Sequence, residues 1–156
     1  MNADQCVDGP AVHMNCVGSA DAVTASELRR VLQRWLRDET DVAPDIRDGI
    51  VLGASEALAN CVEHAYRSQH SIGPMRLQAS HDPAARSINV CVTDGGTWHR
   101  PLQRKPGDPR ASRGIMLMCA LADRCTIDAR PNGTMVCLDY TTDPTRFGEK
   151  GTDAGC

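Results

Sequence analysis

One stretch of the chain, from Ser55 to Tyr66, places polar side chains at helical spacing beside an apolar face. At about 100° per residue, Glu56 and Asn60 lie one turn apart on the same side of a helix. The same polar strip contains Glu63 and His64, and in the preceding turns Gly49 and Gly53. The neighbouring side is apolar and suits a core: Ile50, Val51, Ala54, Ala57, Leu58, Cys61, Val62 and Ala65. A carboxylate and a carboxamide beside such packing are costly unless something polar meets them.

Two later segments supply further groups with binding chemistry. Asp94 ends a predicted strand before two glycines, so its natural partner is an exocyclic amine on a flat ligand lying close to the backbone. The segment 112–114, Ser-Arg-Gly, opens a predicted helix, where free N–H groups and the helix dipole attract phosphate. The Asn60 carbonyl can hold Mg²⁺ together with phosphate oxygens, and the Glu56 carboxylate can accept a hydroxyl proton. Together these groups predict a nucleoside triphosphate site with magnesium.

Length and composition limit the classes of protein to which the chain can belong. The chain has 156 residues, which suits one domain with a substantial core. Hydrophobic residues make up 41% of the sequence, and the formal net charge is −3, which gives no general attraction to nucleic acid or to an anionic membrane. No apolar run approaches the roughly 20 residues of a membrane span, and the first ten residues lack the apolar stretch of a signal peptide. We therefore expect a cytoplasmic protein with no direct nucleic-acid or membrane partner.

The sequence contains eight cysteines. None forms a C-x-x-C pair, and no two have the spacing of metal ligands. Most lie within apolar segments, where a thiol behaves as a small hydrophobic group. The expectation is therefore buried, reduced thiols.

Hydrophobic periodicity predicts two long helices in the first half of the chain. Thr24 followed by Glu27 is a capping-box pattern, and an i, i+3, i+4, i+7 apolar stripe that includes Trp35 follows it, which predicts a helix over 24–38. This stripe faces either the core or a dimer partner. Pro44 suits the first position of a second helix, predicted over 44–66.

Alternating segments predict the strands. An edge strand is expected over 11–17, one hairpin from segments 75–80 and 88–92, and a second from 125–129 and 136–140 around a turn at 130–133 containing Asn-Gly. Glycine and proline interrupt 95–113, which predicts an irregular basic loop before a short helix over 114–122. This order predicts an α+β fold, a two-layer sandwich with a mixed, mostly antiparallel sheet covered on one face by three helices. The domain is expected over 11–140, between a flexible N-terminus (1–10) and a disordered tail (141–156).

The motifs, taken in order, resemble those of the GHKL (histidine kinase-like) ATPases, in the form found in RsbW-like anti-sigma factor serine/threonine kinases. The segment 56–66, Glu-x-x-x-Asn-x-x-x-His-Ala-Tyr, resembles the N box. The first glycine box is similar to 94–98, Asp-Gly-Gly-Thr-Trp, and the second to 112–118, Ser-Arg-Gly-Ile-Met-Leu-Met. Gly133-Thr134 matches a late Gly-Thr turn. The resemblance covers about residues 11–140 and implies the Bergerat-type ATP-binding fold.

The resemblance also implies a role for each matching residue. Glu56 would be the general base and Asn60 the Mg²⁺ ligand. Asp94 would bind the adenine amine, Gly96 would let the ring approach, and Thr134 would lie near adenine. The residues that would contact the phosphates are Ser112, Arg113, Gly114 and Ile115. Basic residues of the lid that could reach the γ-phosphate are Arg100, Arg104, Lys105 and Arg110.

The function implied is that of an ATP-binding anti-sigma factor that sequesters a sigma factor and phosphorylates a STAS-type anti-anti-sigma protein, either as a monomer or as a homodimer. Ser112 departs from the family pattern, since the second box usually begins with glycine. This departure favours an alternative, a regulatory module that binds ATP weakly or without catalysis and acts by partner capture alone. The catalytic domain of a two-component histidine kinase is disfavoured, because the chain shows no dimerising helix pair with a phosphoacceptor histidine.

Overall fold

The computed structural model describes residues 13–97 and 109–142. Nine elements follow one another: β1 (His13–Ser19), α1 (Ala22–Glu39), α2 (Pro44–Asn60), a π-helical turn (Cys61–Ala65), β2 (Pro74–Asp82), β3 (Ser87–Asp94), α3 (Pro109–Leu121), β4 (Arg124–Arg130) and β5 (Gly133–Thr141). The predicted order of strands and helices is confirmed.

The five strands form one sheet in the order β1-β2-β3-β5-β4. Every neighbouring pair is antiparallel, so the expected mixed sheet is wrong in that detail. The reason lies in the connections. Two helices connect β1 to β2, so the chain re-enters the sheet at the end where β1 finishes, and β2 runs antiparallel to β1. The single helix α3 makes β4 run parallel to β3, but β5 lies between them.

The core lies between one face of the sheet and the helices. Alternate residues of each central strand point inward, as in β3, where Ile88, Val90 and Val92 are buried. The apolar stripe of α1 meets them with Leu32 and Leu36, both fully buried. Trp35 is also buried in this core, so of the two predicted environments, the core or a dimer partner, the apolar stripe of α1 faces the core. The α+β sandwich is thus confirmed.

The first helix begins two residues earlier than its sequence pattern indicates. The cap is Asp21, whose carboxylate accepts a hydrogen bond from the Thr24 backbone N–H at 2.7 Å. Thr24 itself is buried within the first turn. The capping-box pattern beginning at Thr24 therefore misplaced the helix start, because Asp21 offers the same Ncap chemistry three residues upstream.

The third helix also begins earlier than predicted, at Pro109 rather than Gly114. A proline at the first helical position needs no backbone N–H partner, so it starts the helix instead of breaking it. Ser112 is consequently the fourth residue of α3 and Gly114 the sixth, so the segment 112–114 does not open the helix, contrary to expectation.

Both hairpins are confirmed, with register fixed across their full length. In the second, Arg130 pairs with Gly133, so Pro131 and Asn132 are the central turn residues. Strand β5 continues to Thr141, one residue past the predicted end of the domain. The N-terminus and the rest of the tail lie outside the described residues. No helix in the described part of the chain is long and apolar enough to cross a membrane.

The expectation of reduced thiols fails for Cys16, which is disulfide-bonded, and for Cys91 and Cys137. Cys91 and Cys137 form a disulfide between β3 and β5, where they are direct partners in the register. Both have the parity of the outer face of the sheet, opposite the helices, so neither serves as a core hydrophobe. Cys61 matches the expectation, since it is buried with a free thiol.

Candidate functional site

The end of α2 carries a buried polar side chain. Asn60, its last residue, is only 8% exposed, and no described residue pairs with its Nδ2 atom. The chain then widens into the π-helical turn. Such turns occur frequently at functional sites. A buried N–H donor without a partner is costly, so the Asn60 Nδ2 atom implies an acceptor at this position, from a ligand or a water.

Helix α3 approaches this end of α2 through a glycine. A Cβ atom placed on Gly114 would lie 2.9 Å from Glu56 Oε2 and 4.0 Å from Asn60 Oδ1. The Glu56 side chain is half-buried, so its carboxylate can reach a ligand as well as solvent. The sequence-predicted residues Glu56, Asn60 and Gly114 are therefore neighbours. Ile115 follows, half-buried and packed against the core.

The end of β3 supplies a buried carboxylate, as its parity predicts. Asp94 is 4% exposed. Its Oδ1 accepts a hydrogen bond from the Gly96 backbone N–H at 3.0 Å, and its Oδ2 accepts one from the Cys61 thiol at 3.3 Å. Cys61 directly follows Asn60, so this bond joins the end of β3 to the end of α2.

Strand β5 adds a hydroxyl beside that carboxylate. Thr134 is the direct partner of Asp94 in the antiparallel register. It is 2% exposed, and none of the described residues pairs with its Oγ1. A Cβ on the preceding Gly133 would lie 2.6 Å from the Asp94 carbonyl oxygen, so a side chain there would force β3 and β5 apart.

The segment after β3 is fastened to the π-helical turn. A Cβ on Gly96 would come within 1.9 Å of the Ala65 carbonyl oxygen, which leaves room only for glycine. The same carbonyl accepts a hydrogen bond from the Thr97 N–H at 2.8 Å. The Tyr66 hydroxyl accepts one from the Gly95 N–H at 2.9 Å and donates to the Pro74 carbonyl. The structure thus gives Gly96 a packing role, whereas its approach to an adenine ring is untested.

A sequence profile of the histidine kinase-like ATPase domain matches residues 18–140. The chain belongs to the histidine kinase-like ATPase family. A search of curated protein sequences finds no match.

Solved structures of the family share the fold. The RsbU and RsbW domains of Mycobacterium tuberculosis Rv1364c align with a TM-score of 0.65 at 21% identity, over 85% of this chain and 32% of that one. The Erythrobacter litoralis blue-light activated histidine kinase EL346 aligns with a TM-score of 0.60 at 20% identity, over 79% of this chain and 43% of that one. Its separate histidine kinase domain aligns with a TM-score of 0.60 at 18% identity, over 84% and 65%. The chain thus spans about a third of the first protein and less than half of the second.

The chemistry of the site fits the ligand that a histidine kinase-like ATPase implies. The buried Thr134 hydroxyl and Asp94 carboxylate suit a nucleobase edge, and the Asn60 carboxamide, whose Nδ2 has no described partner, lies with Glu56 beside the backbone of Gly114. Within the described residues, no group of three or more His, Cys, Asp or Glu side chains could hold a metal alone. A cation at Asn60 would therefore need phosphate oxygens as its other ligands, which is the habit of Mg²⁺.

Other residues of the sequence motifs stand apart or lie outside the description. Glu63 is exposed, and its carboxylate lies 3.6 Å from the half-buried His64 ring, so the pair belongs to the surface. Ser112 and Arg113 are placed only as backbone in α3. The lid residues Arg100, Arg104 and Lys105 lie outside the described residues, as do Trp98 and His99, and the side chain of Arg110 is not described.

Sequence reasoning missed three residues that shape the site. Cys61 was assigned to the apolar face of α2, yet its thiol contacts Asp94. Ala65 and Tyr66 hold the segment after β3 through a carbonyl and a hydroxyl. The π-helical turn explains the miss, because its extra residue rotates side chains away from the positions that a 3.6-residue period assigns.

Proposed function

We propose that this chain is an ATP-dependent serine/threonine protein kinase that acts as an anti-sigma factor, phosphorylating a STAS-domain partner and sequestering a sigma factor. The observation that carries the proposal is the proximity of Glu56 Oε2 and Asn60 Oδ1 to the backbone of Gly114. A base and a carbonyl ligand thereby lie beside the backbone of α3 at a position without a side chain, where a phosphate would bind in the proposed complex. The buried carboxylate of Asp94 offers the matching contact for adenine.

The chemistry follows from this arrangement. The Glu56 carboxylate accepts the proton of a serine or threonine hydroxyl, whose oxygen attacks the γ-phosphorus of ATP as the bond to ADP breaks. Mg²⁺ at the Asn60 carbonyl would neutralise phosphate charge. Positioning and charge stabilisation supply most of the rate in such transfers, so the residues that fix Glu56 and Asn60 matter as much as the base itself.

Two observations support a STAS-domain protein and a sigma factor as the partners. The N box and both glycine boxes resemble those of RsbW-like kinases, including the Asp-Gly-Gly-Thr-Trp segment at 94–98. The fold is shared with a chain containing an RsbW domain. The likeness at 21% identity is a likeness of fold, so the STAS protein and the sigma factor are parts of the proposal.

The test uses labelled ATP, Mg²⁺ and a panel of STAS-domain proteins, with transfer of the γ-phosphate as readout. Glu56→Gln keeps the shape of the side chain but removes the base, so we expect ATP binding near the wild-type value and phosphotransfer lower by about 10²–10⁴-fold. Glu63→Gln is the matched control, because this exposed carboxylate is seven residues along and paired with His64. Equal transfer by wild type and Glu56→Gln would remove the base assignment.

One observation favours a second function, capture of partners without phosphotransfer. Because α3 begins at Pro109, Gly114 is its sixth residue, and backbone N–H groups beyond the first four of a helix already have helical partners. Such groups cannot cradle phosphate unless the turn opens. If the wild type phosphorylates no STAS protein but retains a sigma factor in pull-downs with and without ATP, this binding module is the correct function.

A further inference from the structure

Cys61 occupies an unusual position for a core thiol. It is 1% exposed and lies in the first position of the π-helical turn, directly after the Asn60 carboxamide. Its Sγ is 3.3 Å from Asp94 Oδ2, and both groups are buried. An apolar side chain of the same size would pack equally well there, so packing alone does not explain the thiol.

The surroundings of Cys61 determine that its thiol is the donor in the contact with Asp94. Burial raises the pKa of the Cys61 thiol, and the Asp94 carboxylate raises it further, so Cys61 stays protonated. A protonated thiol beside a carboxylate is a donor, and the carboxylate oxygen accepts.

Two hydrogen bonds constrain the plane of the Asp94 carboxylate. The Gly96 N–H donates to Oδ1, and the Cys61 thiol donates to Oδ2. Each carboxylate oxygen can accept two hydrogen bonds. The bond from Cys61 therefore helps to set the orientation in which the Asp94 carboxylate meets a donor of the ligand.

We propose that Cys61 is a positioning residue for purine recognition, which aims the Asp94 carboxylate at the exocyclic amine of adenine. This inference rests on the proposed ATP-binding function and extends it to a residue outside the nucleotide-contacting set. The thiol acts through Asp94 and need not touch the nucleotide. Its effect is therefore confined to ligands that carry the 6-amino group.

The experiment compares two nucleotides by calorimetric titration with Mg²⁺: ATP, and purine riboside triphosphate, which lacks only the 6-amino group. Cys61→Ala removes the donor, and Cys61→Val removes it while filling the space. Both are expected to weaken ATP binding by about two- to tenfold, the scale of one hydrogen bond, and to leave purine riboside triphosphate unchanged. Cys61→Ser restores a donor and should recover most of the ATP affinity.

The outcomes distinguish a failure of the Cys61 role from a failure of the proposed ATP binding. If the wild type binds neither nucleotide, the ATP proposal fails, and this inference fails with it. If the wild type binds ATP but Cys61→Ala and Cys61→Val match it, the positioning role is wrong and the ATP site stands. Equal weakening of both nucleotides, or no recovery in Cys61→Ser, would mark a packing effect and overturn the role.

Discussion

The Gly114 position allows the geometry of the site to be tested by a single methyl group. In an ordinary helix interior, glycine to alanine stabilises a protein by about 0.5–1 kcal/mol. At Gly114 the new Cβ would lie 2.9 Å from Glu56 Oε2, inside the 3.4 Å at which ordinary contact begins. The Glu56 carboxylate is the far end of a flexible, half-buried side chain, so it can move aside. The fold therefore tolerates Gly114→Ala, but the base leaves its position.

The magnitude follows from overpacking. In the ATP complex the new methyl group and the displaced Glu56 carboxylate would meet the phosphate, and forcing a methyl group into a space so filled costs about 1–3 kcal/mol. Because this cost falls on the complex and not on the free protein, it converts to a loss of about five- to 150-fold in affinity for ATP–Mg²⁺. We expect this loss in calorimetric titration, with a melting temperature close to that of the wild type.

Gly49→Ala is the matched control. Gly49 lies in α2, and apart from its chain neighbours and the backbone of its own helix, no heavy atom of the described residues lies within 4 Å of its added Cβ. This variant should bind ATP normally and melt about 2–4 °C higher, if the helix gains about 1 kcal/mol. If Gly114→Ala binds ATP as tightly as Gly49→Ala, the space beside Glu56 is not where phosphate lies, and the reasoning fails.

Two further predictions concern stability. Cys91→Ser or Cys137→Ser should lower the free energy of unfolding by about 2–4 kcal/mol, because the disulfide closes a loop between positions 46 residues apart. Urea titrations should show this difference without reductant and lose it with dithiothreitol. Equal unfolding midpoints of variant and wild type without reductant would refute the crosslink. The Thr24 N–H lowers the pKa of Asp21 below its ordinary value of 3.8, so this cap stabilises the fold above that pH and loses its effect as pH falls through the folded pKa. Asp21→Ala should therefore cost about 1 kcal/mol at neutral pH, and a gap from wild type that persists unchanged in acid would contradict the cap.

The sequence predicts those parts of the fold that depend on local pattern. Strand β3 alternates strictly, so its parity places Asp94 on the inner face, where the structure has it. The i, i+4 spacing likewise places Glu56 and Asn60 together near the end of α2. These features follow from periods of 2 and 3.6 residues and need no knowledge of distant contacts.

The features that sequence reasoning missed depend on long-range register or on competing local signals. The Cys91–Cys137 pair follows from the alignment of β3 with β5, and no spacing rule reveals it. The start of α3 was hidden because Pro109 follows a run of glycine and proline that also suits a loop. The bond from Cys61 to Asp94 arises from the π-helical turn, which a regular helical projection omits.

The most direct measurement of the central claim is the affinity of this chain for ATP in the presence of Mg²⁺, compared between the wild type and Asp94→Asn. The amide would turn a donor toward the adenine amine in place of an acceptor, so we expect binding by the wild type and a loss of about tenfold or more in the variant. Circular dichroism should show that both proteins are folded. An unchanged affinity in Asp94→Asn, or a wild type that does not bind ATP, would contradict the account.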